Sequence, residues 1–179
     1  MKTNFLDLDD FSANELEDIV KSSLKLKKNT SNTKPLDGKY LGLIFEKPST
    51  RTRVSFEVAM SQLGGSASFL SVNDLQVGRG EPIEDTAKVL SSMVNGLVLR
   101  TLKHETLVEF ADNSSVPIIN GLSDRSHPCQ LLADILTFYE ERGPINGKKI
   151  TWFGDFNNVC FSYAQAADLF EFEFWVACP

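Results

Sequence analysis

The densest group of anion-binding side chains lies at Ser49-Thr50-Arg51-Thr52-Arg53, directly after the apolar run Leu43-Ile44-Phe45. Hydroxyls donate hydrogen bonds, and an arginine presents a planar fork that matches phosphate or carboxylate oxygens. A helix beginning near Thr52 adds free N–H groups and a positive dipole end at the same place. The expected chemistry is a phosphate cradle, though not a Walker P-loop, because GxxxxGK is absent. A plain helix cap with solvated arginines fits the motif equally well.

Three further clusters carry polar groups. Arg100-Thr101 follows the apolar stretch 96–99 and suits either an anion contact or a snorkelling arginine. His127 and Gln130 are three apart, which puts them on one face of a helix opened by Pro128. Cys129 sits beside His127, but adjacent residues face different ways and no third group orients such a pair for nucleophilic attack. Asn157-Asn158 follow Gly154-Asp155-Phe156 and suit either a turn and helix cap or a polar binding group.

The elements that must position these groups alternate. Ser12-Ala13-Asn14-Glu15 is a capping box, with Leu16, Ile19, Val20 and Leu24 at helical spacing behind it. Strands are expected over 40–45, 66–71, 96–99, 116–119 and 149–153, with a last one over 174–177. Helices are expected over 52–63, stopped by Gly64-Gly65, over 82–93 with Pro82 at the first position, over 105–111 and over 128–141. Residues 29–34 and 73–81 read as polar loops, and 141–147 as a turn or linker. This alternation indicates an α/β fold with a mainly parallel sheet. In such sheets ligands sit outside the carboxyl ends of the strands, so all four clusters are expected along one edge. Many of the aromatics fall after residue 150 and need a core that one βαβ unit is too small to build.

Composition excludes several classes. A net charge of −6 argues against a general nucleic-acid or anionic-membrane binder. No apolar run reaches the roughly 18 residues of a membrane span, and the acidic start MKTNFLDLDDF does not read as a secretory signal. The three cysteines are far apart with no CxxC spacing, which indicates a reduced, cytoplasmic setting. With two histidines and no Cys/His cluster, no metal site is expected.

Together, the 49–53 motif, the segment LQVGRGEPIEDTAKVL, Leu99-Arg100-Thr101 and His127-Pro128-Cys129-Gln130 resemble the aspartate/ornithine carbamoyltransferase family, and in the family's order. GDFNNV, Gly154 to Val159, is similar to the ornithine branch. The resemblance implies a parallel-sheet carbamoyl-phosphate-binding domain over 1–145. The first βαβ unit of a Rossmann-like, ornithine-binding domain follows over 146–179. It implies carbamoyl transfer from carbamoyl phosphate to L-ornithine in arginine metabolism, without metal or organic cofactor, by a homotrimer. Ser49, Thr50, Arg51 and Thr52 are implied to hold the phosphate. Arg100 is implied to touch phosphate and carbonyl oxygen, His127 the carbonyl oxygen and Gln130 the carbamoyl amide. Gln76 is implied to reach a neighbouring subunit's site, and Asn158 to hold ornithine, with Asn157 a weaker candidate. Family members continue past the point matching Pro179 with further ornithine-site segments, so this chain alone is expected to show little or no turnover. Another acceptor (aspartate, an acylated ornithine or putrescine) and a non-catalytic carbamoyl-phosphate-binding fragment stay open as alternatives.

Overall fold

The computed structural model describes residues 4–28, 33–72, 75 and 80–179. Gln76, and much of the loops expected over 29–34 and 73–81, lie outside the described residues. The chain divides into two compact units, Met1–Leu6 with Asn32–Asp124, and Asp7–Ser31 with Arg125–Pro179.

The first unit is built on strands β1 (Tyr40–Phe45), β2 (Ser66–Ser71), β3 (Gly96–Arg100) and β4 (Ile118–Leu122). Their order is β2-β1-β3-β4, and every pairing is parallel. Helices α2 (Thr50–Gln62), α3 (Ile83–Ser91) and α4 (His104–Asn113) connect them. Side chains alternate across a strand, and the apolar runs divide accordingly. Leu41, Leu43, Phe45 and Val98 cluster with Met60 of α2. Ile44, Leu97 and Leu99 cluster instead with Ala87 of α3 and with Leu107, Phe110 and Ala111 of α4. Burial on both faces is why these strands read as continuous apolar runs rather than alternating ones.

Most boundaries shift by one to three residues from the sequence expectation, and α3 begins at Ile83 with Pro82 as its N-cap rather than its first helical residue. Helix α2 starts at Thr50, two residues early, because Ser49 takes the N-cap position in extended backbone. Strand β4 begins after Pro117 and runs to Leu122, so Asn120 and Gly121 are strand rather than loop. Pro117 has no N–H to offer a ladder, but its carbonyl accepts from Leu97 N at 3.0 Å. A side chain at Gly121 would stand 3.0 Å from Val98 Cγ1 and 3.1 Å from the Leu99 carbonyl oxygen. Any larger residue would need these neighbours to give by a few tenths of an ångström, so glycine suits the close approach at the register shift between Leu99 and Arg100. At the other end of α2, Gly64 takes φ +92° and Gly65 N–H bonds Met60 O at 2.8 Å. The expected glycine stop is thus a left-handed C-terminal cap.

The second unit holds a short 3-10 turn (Leu8–Asp10), α1 (Ala13–Lys28), α5 (Pro128–Arg142), β5 (Lys149–Phe153), α6 (Asn158–Leu169) and β6 (Glu173–Ala177). The capping box forms as read, with Ser12 N–H donating to Glu15 Oε2 at 2.8 Å and Glu15 N–H to Ser12 Oγ at 3.4 Å. Leu16 and Val20 of α1 are buried, whereas Ile19 is 37% exposed. Strands β5 and β6 pair in parallel with α6 between them. Phe170 and Phe172 are buried, but Phe153 is 80% and Trp175 57% exposed. Among the described residues no helix is long and apolar enough to cross a membrane.

Candidate anion-binding site

The carboxyl ends of β1 and β3 lie side by side, Phe45 paired with Arg100. That register brings the turn before α2 next to Arg100. Ser49 Oγ accepts from Thr52 N–H at 3.4 Å and donates to Thr52 Oγ1 at 3.0 Å. The first intrahelical bond of the turn runs from Arg53 N–H to Ser49 O at 3.1 Å. The N–H groups of Thr50 and Arg51 therefore have no carbonyl within the helix to bond, and they carry the positive end of the dipole. A cleft of about 700 Å³ opens here, lined by Glu46, Ser49, Thr50, Arg53, Phe69 and Leu102 among others.

The structure separates the two arginines of the motif. Arg53 Nε bonds Glu57 Oε1 at 2.9 Å, one turn on, and its guanidinium sits 4.2 Å from the centre of the Phe69 ring. Arg51 is exposed and makes no ion pair among the described residues. Arg53 thus holds α2 to β2 while lining the cleft, and Arg51 has no such partner among the described residues.

Arg100 ends β3 with Nε buried and without a hydrogen bond. Burial lowers its pKa from the ordinary value, yet a guanidinium keeps its charge in proteins. A buried, charged donor of this kind is costly unless an acceptor meets it. Thr101, 4% exposed, likewise has a buried hydroxyl with no hydrogen bond, while its N–H holds Leu122 O at 2.9 Å. Glu46, which the sequence reading passed over, brackets Arg100. Its N–H donates to Arg100 O at 2.9 Å, and its carboxylate accepts from Leu102 N–H. An acid directly after an apolar strand was the available signal.

His104 serves the scaffold. Its N–H donates to Asp124 Oδ1 at 2.8 Å, and its Nδ1 lies 2.9 Å from Ser123 Oγ, tying the start of α4 to the loop after β4.

The remaining candidates belong to the second unit. His127 is the N-cap of α5, ahead of Pro128 in the first turn. Its N–H donates to Ser162 Oγ at 2.8 Å, and Ser162 Oγ donates to Asn158 O at 2.9 Å. That chain of bonds joins the starts of α5 and α6. Asn157 is the α6 cap, its Oδ1 accepting from Val159 and Cys160 N–H at 3.0 and 3.1 Å, whereas Asn158 is the first helical residue. The capping role falls to Asn157. Gln130 Nε2 donates to Asp134 Oδ1 at 2.8 Å. Burial pushes the Cys129 thiol up to about 12, which removes thiolate character near neutral pH.

The structure therefore gathers Ser49, Thr50, Arg51, Thr52 and Arg100 on one sheet edge, and His127, Gln130 and Asn158 on two joined helix starts of the other unit. Of the four strand ends expected along one edge, those of β1, β3 and β4 share one parallel sheet and that of β5 does not. Strand β5 belongs to a separate two-stranded sheet with β6, because its parallel partner comes from the next strand in sequence. Among the described residues no group of three or more His, Cys, Asp or Glu could hold a metal ion.

Residues 3–140 match the family model described as aspartate/ornithine carbamoyltransferase, carbamoyl-P binding domain. The ornithine carbamoyltransferase of Psychrobacter arcticus is 55% identical over 179 residues, covering 98% of this chain and 58% of the relative. The crystal structure of anabolic ornithine carbamoyltransferase from Campylobacter jejuni superposes with a TM-score of 0.94 at 48% identity, covering 100% of this chain and 58% of that one. The Thermus thermophilus ornithine carbamoyltransferase gives 0.95 at 40% identity, over 100% and 62%. The chain thus spans about three-fifths of the length of the relatives it matches.

Proposed function

The chain belongs to the aspartate/ornithine carbamoyltransferase family, and from that membership we propose that it serves carbamoyl transfer from carbamoyl phosphate to the side-chain amine of L-ornithine, giving L-citrulline and phosphate. The observation that most supports this reading is the α2 start. A hydroxyl-capped helix with free N–H groups, and an Arg51 with no ion pair among the described residues, stand at the same sheet edge as Arg100 Nε, which has no hydrogen bond there. Such a site suits a phosphate dianion.

In this reading Thr50, Arg51 and Thr52 hold the phosphate oxygens, with Ser49 shaping the turn and adding its hydroxyl. Arg100 touches both phosphate and carbonyl oxygen. His127 donates to the carbonyl oxygen, and Gln130 contacts the carbamoyl amide. Asn158 holds ornithine, and Gln76 serves a neighbouring subunit's site in a homotrimer. The neutral amine attacks the carbamoyl carbon. Negative charge builds on the carbonyl oxygen, then leaves with phosphate as the C–O bond breaks, and phosphate accepts the amine proton. Donors aimed at the developing charge lower the barrier as an oxyanion hole does, and fixed placement of two reactants supplies orientation. Such a displacement runs on hydrogen-bond donors and is assigned no metal or organic cofactor. The carbamoyl-phosphate domain is assigned to 1–145 and the start of a Rossmann-like ornithine domain to 146–179, in a cytoplasmic setting. Ornithine is preferred over aspartate as acceptor because of the GDFNNV stretch and the identity to ornithine carbamoyltransferases.

The test is calorimetric titration of carbamoyl phosphate into the 179-residue chain, beside Arg51→Ala and Arg53→Ala. Saturable binding is expected in the parent. Arg51→Ala should bind at least about tenfold more weakly, since it loses a charge-assisted contact. Arg53→Ala should lose less, because Arg53 already serves Glu57 and Phe69. No binding by folded parent chain, or equal binding by Arg51→Ala, overturns the cradle.

A further inference from the structure

The side chain of Gln130 is held by a carboxylate that the reaction itself does not use. Asp134 lies one turn further along α5. Its Oδ1 accepts from Gln130 Nε2 at 2.8 Å, and its Oδ2 accepts from the Tyr163 hydroxyl at 3.0 Å. An ionised carboxylate is an acceptor only, so both neighbours must present donors to it. Tyr163 meets that demand. Burial first, and then the adjacent Asp134 carboxylate, push its phenol well above the ordinary value, so it keeps its proton. Its ring is fixed in turn, stacked on Phe174 at 5.7 Å and lying 6.1 Å from Trp152.

The consequence is chemical. An amide side chain can present either its NH₂ or its oxygen to a ligand, and the two ends differ little in shape. One N–H of the Gln130 amide is spent on Asp134, which fixes the amide's orientation and leaves Oε1, an acceptor, as the end turned away from that carboxylate and open to a ligand. An acceptor recognises the NH₂ of a carbamoyl group and has nothing to bond in the CH₃ of an acetyl group.

We propose that Asp134, seated by Tyr163, is a positioning residue that locks the Gln130 amide with Oε1 outward, and so sets selectivity for carbamoyl phosphate over acyl phosphates lacking an N–H donor. This rests on the assignment of Gln130 to the carbamoyl amide made above. With Asp134→Asn the partner becomes donor and acceptor at once, so either Gln130 orientation is allowed. Tyr163→Phe removes one of the two donors and should act in the same direction more weakly.

The experiment measures dissociation constants of carbamoyl phosphate, acetyl phosphate and inorganic phosphate for the 179-residue chain, Asp134→Asn, Tyr163→Phe and Gln130→Ala. The parent should prefer carbamoyl over acetyl phosphate by about tenfold, the scale of one well-placed hydrogen bond. Asp134→Asn should bring that ratio down to the Gln130→Ala value and leave the inorganic phosphate constant unchanged. Asp134→Asn that keeps the parent ratio while Gln130→Ala loses it overturns the positioning role alone. A ratio unchanged in Gln130→Ala overturns the assignment of Gln130, and the proposal with it. A ligand-free readout stands beside these: the side-chain NH₂ protons of Gln130, followed by NMR, should exchange with solvent faster in Asp134→Asn. Equal exchange in a folded variant overturns the Asp134 lock.

Discussion

Replacing Ser49 in two ways separates a helix cap from a phosphate cradle. Ser49→Ala removes the acceptor for Thr52 N–H and the donor to Thr52 Oγ1. Losing a serine N-cap costs about 0.5–2 kcal/mol, and the long 3.4 Å contact points to the lower end. Ser49→Asp keeps the cap, since aspartate ranks with serine at that position. It also sets a negative charge at the positive end of α2, which adds a few tenths to about 1 kcal/mol of stability. A phosphate seated on the same N–H groups meets that carboxylate at about 4 Å. At an effective dielectric of about 20, each pair of unit charges repels by about 4 kcal/mol, on the order of a thousandfold in affinity. The assay pairs urea unfolding with calorimetric titration of carbamoyl phosphate for the parent and both variants. The expected pattern is a slightly destabilised alanine variant with weakened binding, and an aspartate variant as stable as the parent that has lost binding. Ser49→Asp binding within about threefold of the parent would refute the reasoning, because the α2 start would then be a cap and nothing more.

Two further outcomes follow from burial. Asp7 lies 3.2 Å from Arg125 and caps Leu8 N–H, yet desolvation outweighs these contacts and raises its pKa from 3.8. The folded state then holds a proton that the unfolded chain releases first. This contribution to stability is present below pH 3.8 and is lost as pH rises through the raised folded value. Asp7→Asn, which keeps an oxygen for the cap, should flatten that fall, seen as urea midpoints that vary less across about pH 3–6; a parallel fall in both proteins contradicts it. Among the cysteines, burial raises the thiols of Cys129 and Cys160, and Cys178 is exposed. Iodoacetamide near pH 8 should modify Cys178 first by peptide mass spectrometry, and early labelling of Cys129 would overturn the account of its environment.

The central strands β1 and β3 were legible because a parallel strand covered on both faces must be apolar along its length. Tyr40–Phe45, Ser66–Ser71 and Lys149–Phe153 have the bounds read from the chain. Where the reading slipped, one cause was non-local and another was a side-chain choice within a single turn. Strand β4 runs through Asn120 because that buried amide bonds Leu6 O at 2.8 Å, a partner 114 residues away. Helix α2 starts early because Ser49 turns its hydroxyl onto Thr52 N–H rather than into solvent.

The sequence by itself determined the kinds of groups available: an arginine- and hydroxyl-rich turn after an apolar strand, an arginine ending another, and a His-Pro-Cys-Gln helix start. These are properties of residue type and local spacing, which backbone periodicity can carry. Only the tertiary structure decided which of these groups already have partners and which lie together. Arg53 is occupied because Glu57 and Phe69 reach it, which leaves Arg51. Arg100 joins the α2 turn because β1 and β3 pair with Phe45 opposite Arg100. Gln130 meets Asp134, which also accepts from Tyr163, 33 positions further along the chain than Gln130. Hydrogen bonds and ion pairs act over a few ångströms in space, and separation along the chain does not encode that distance.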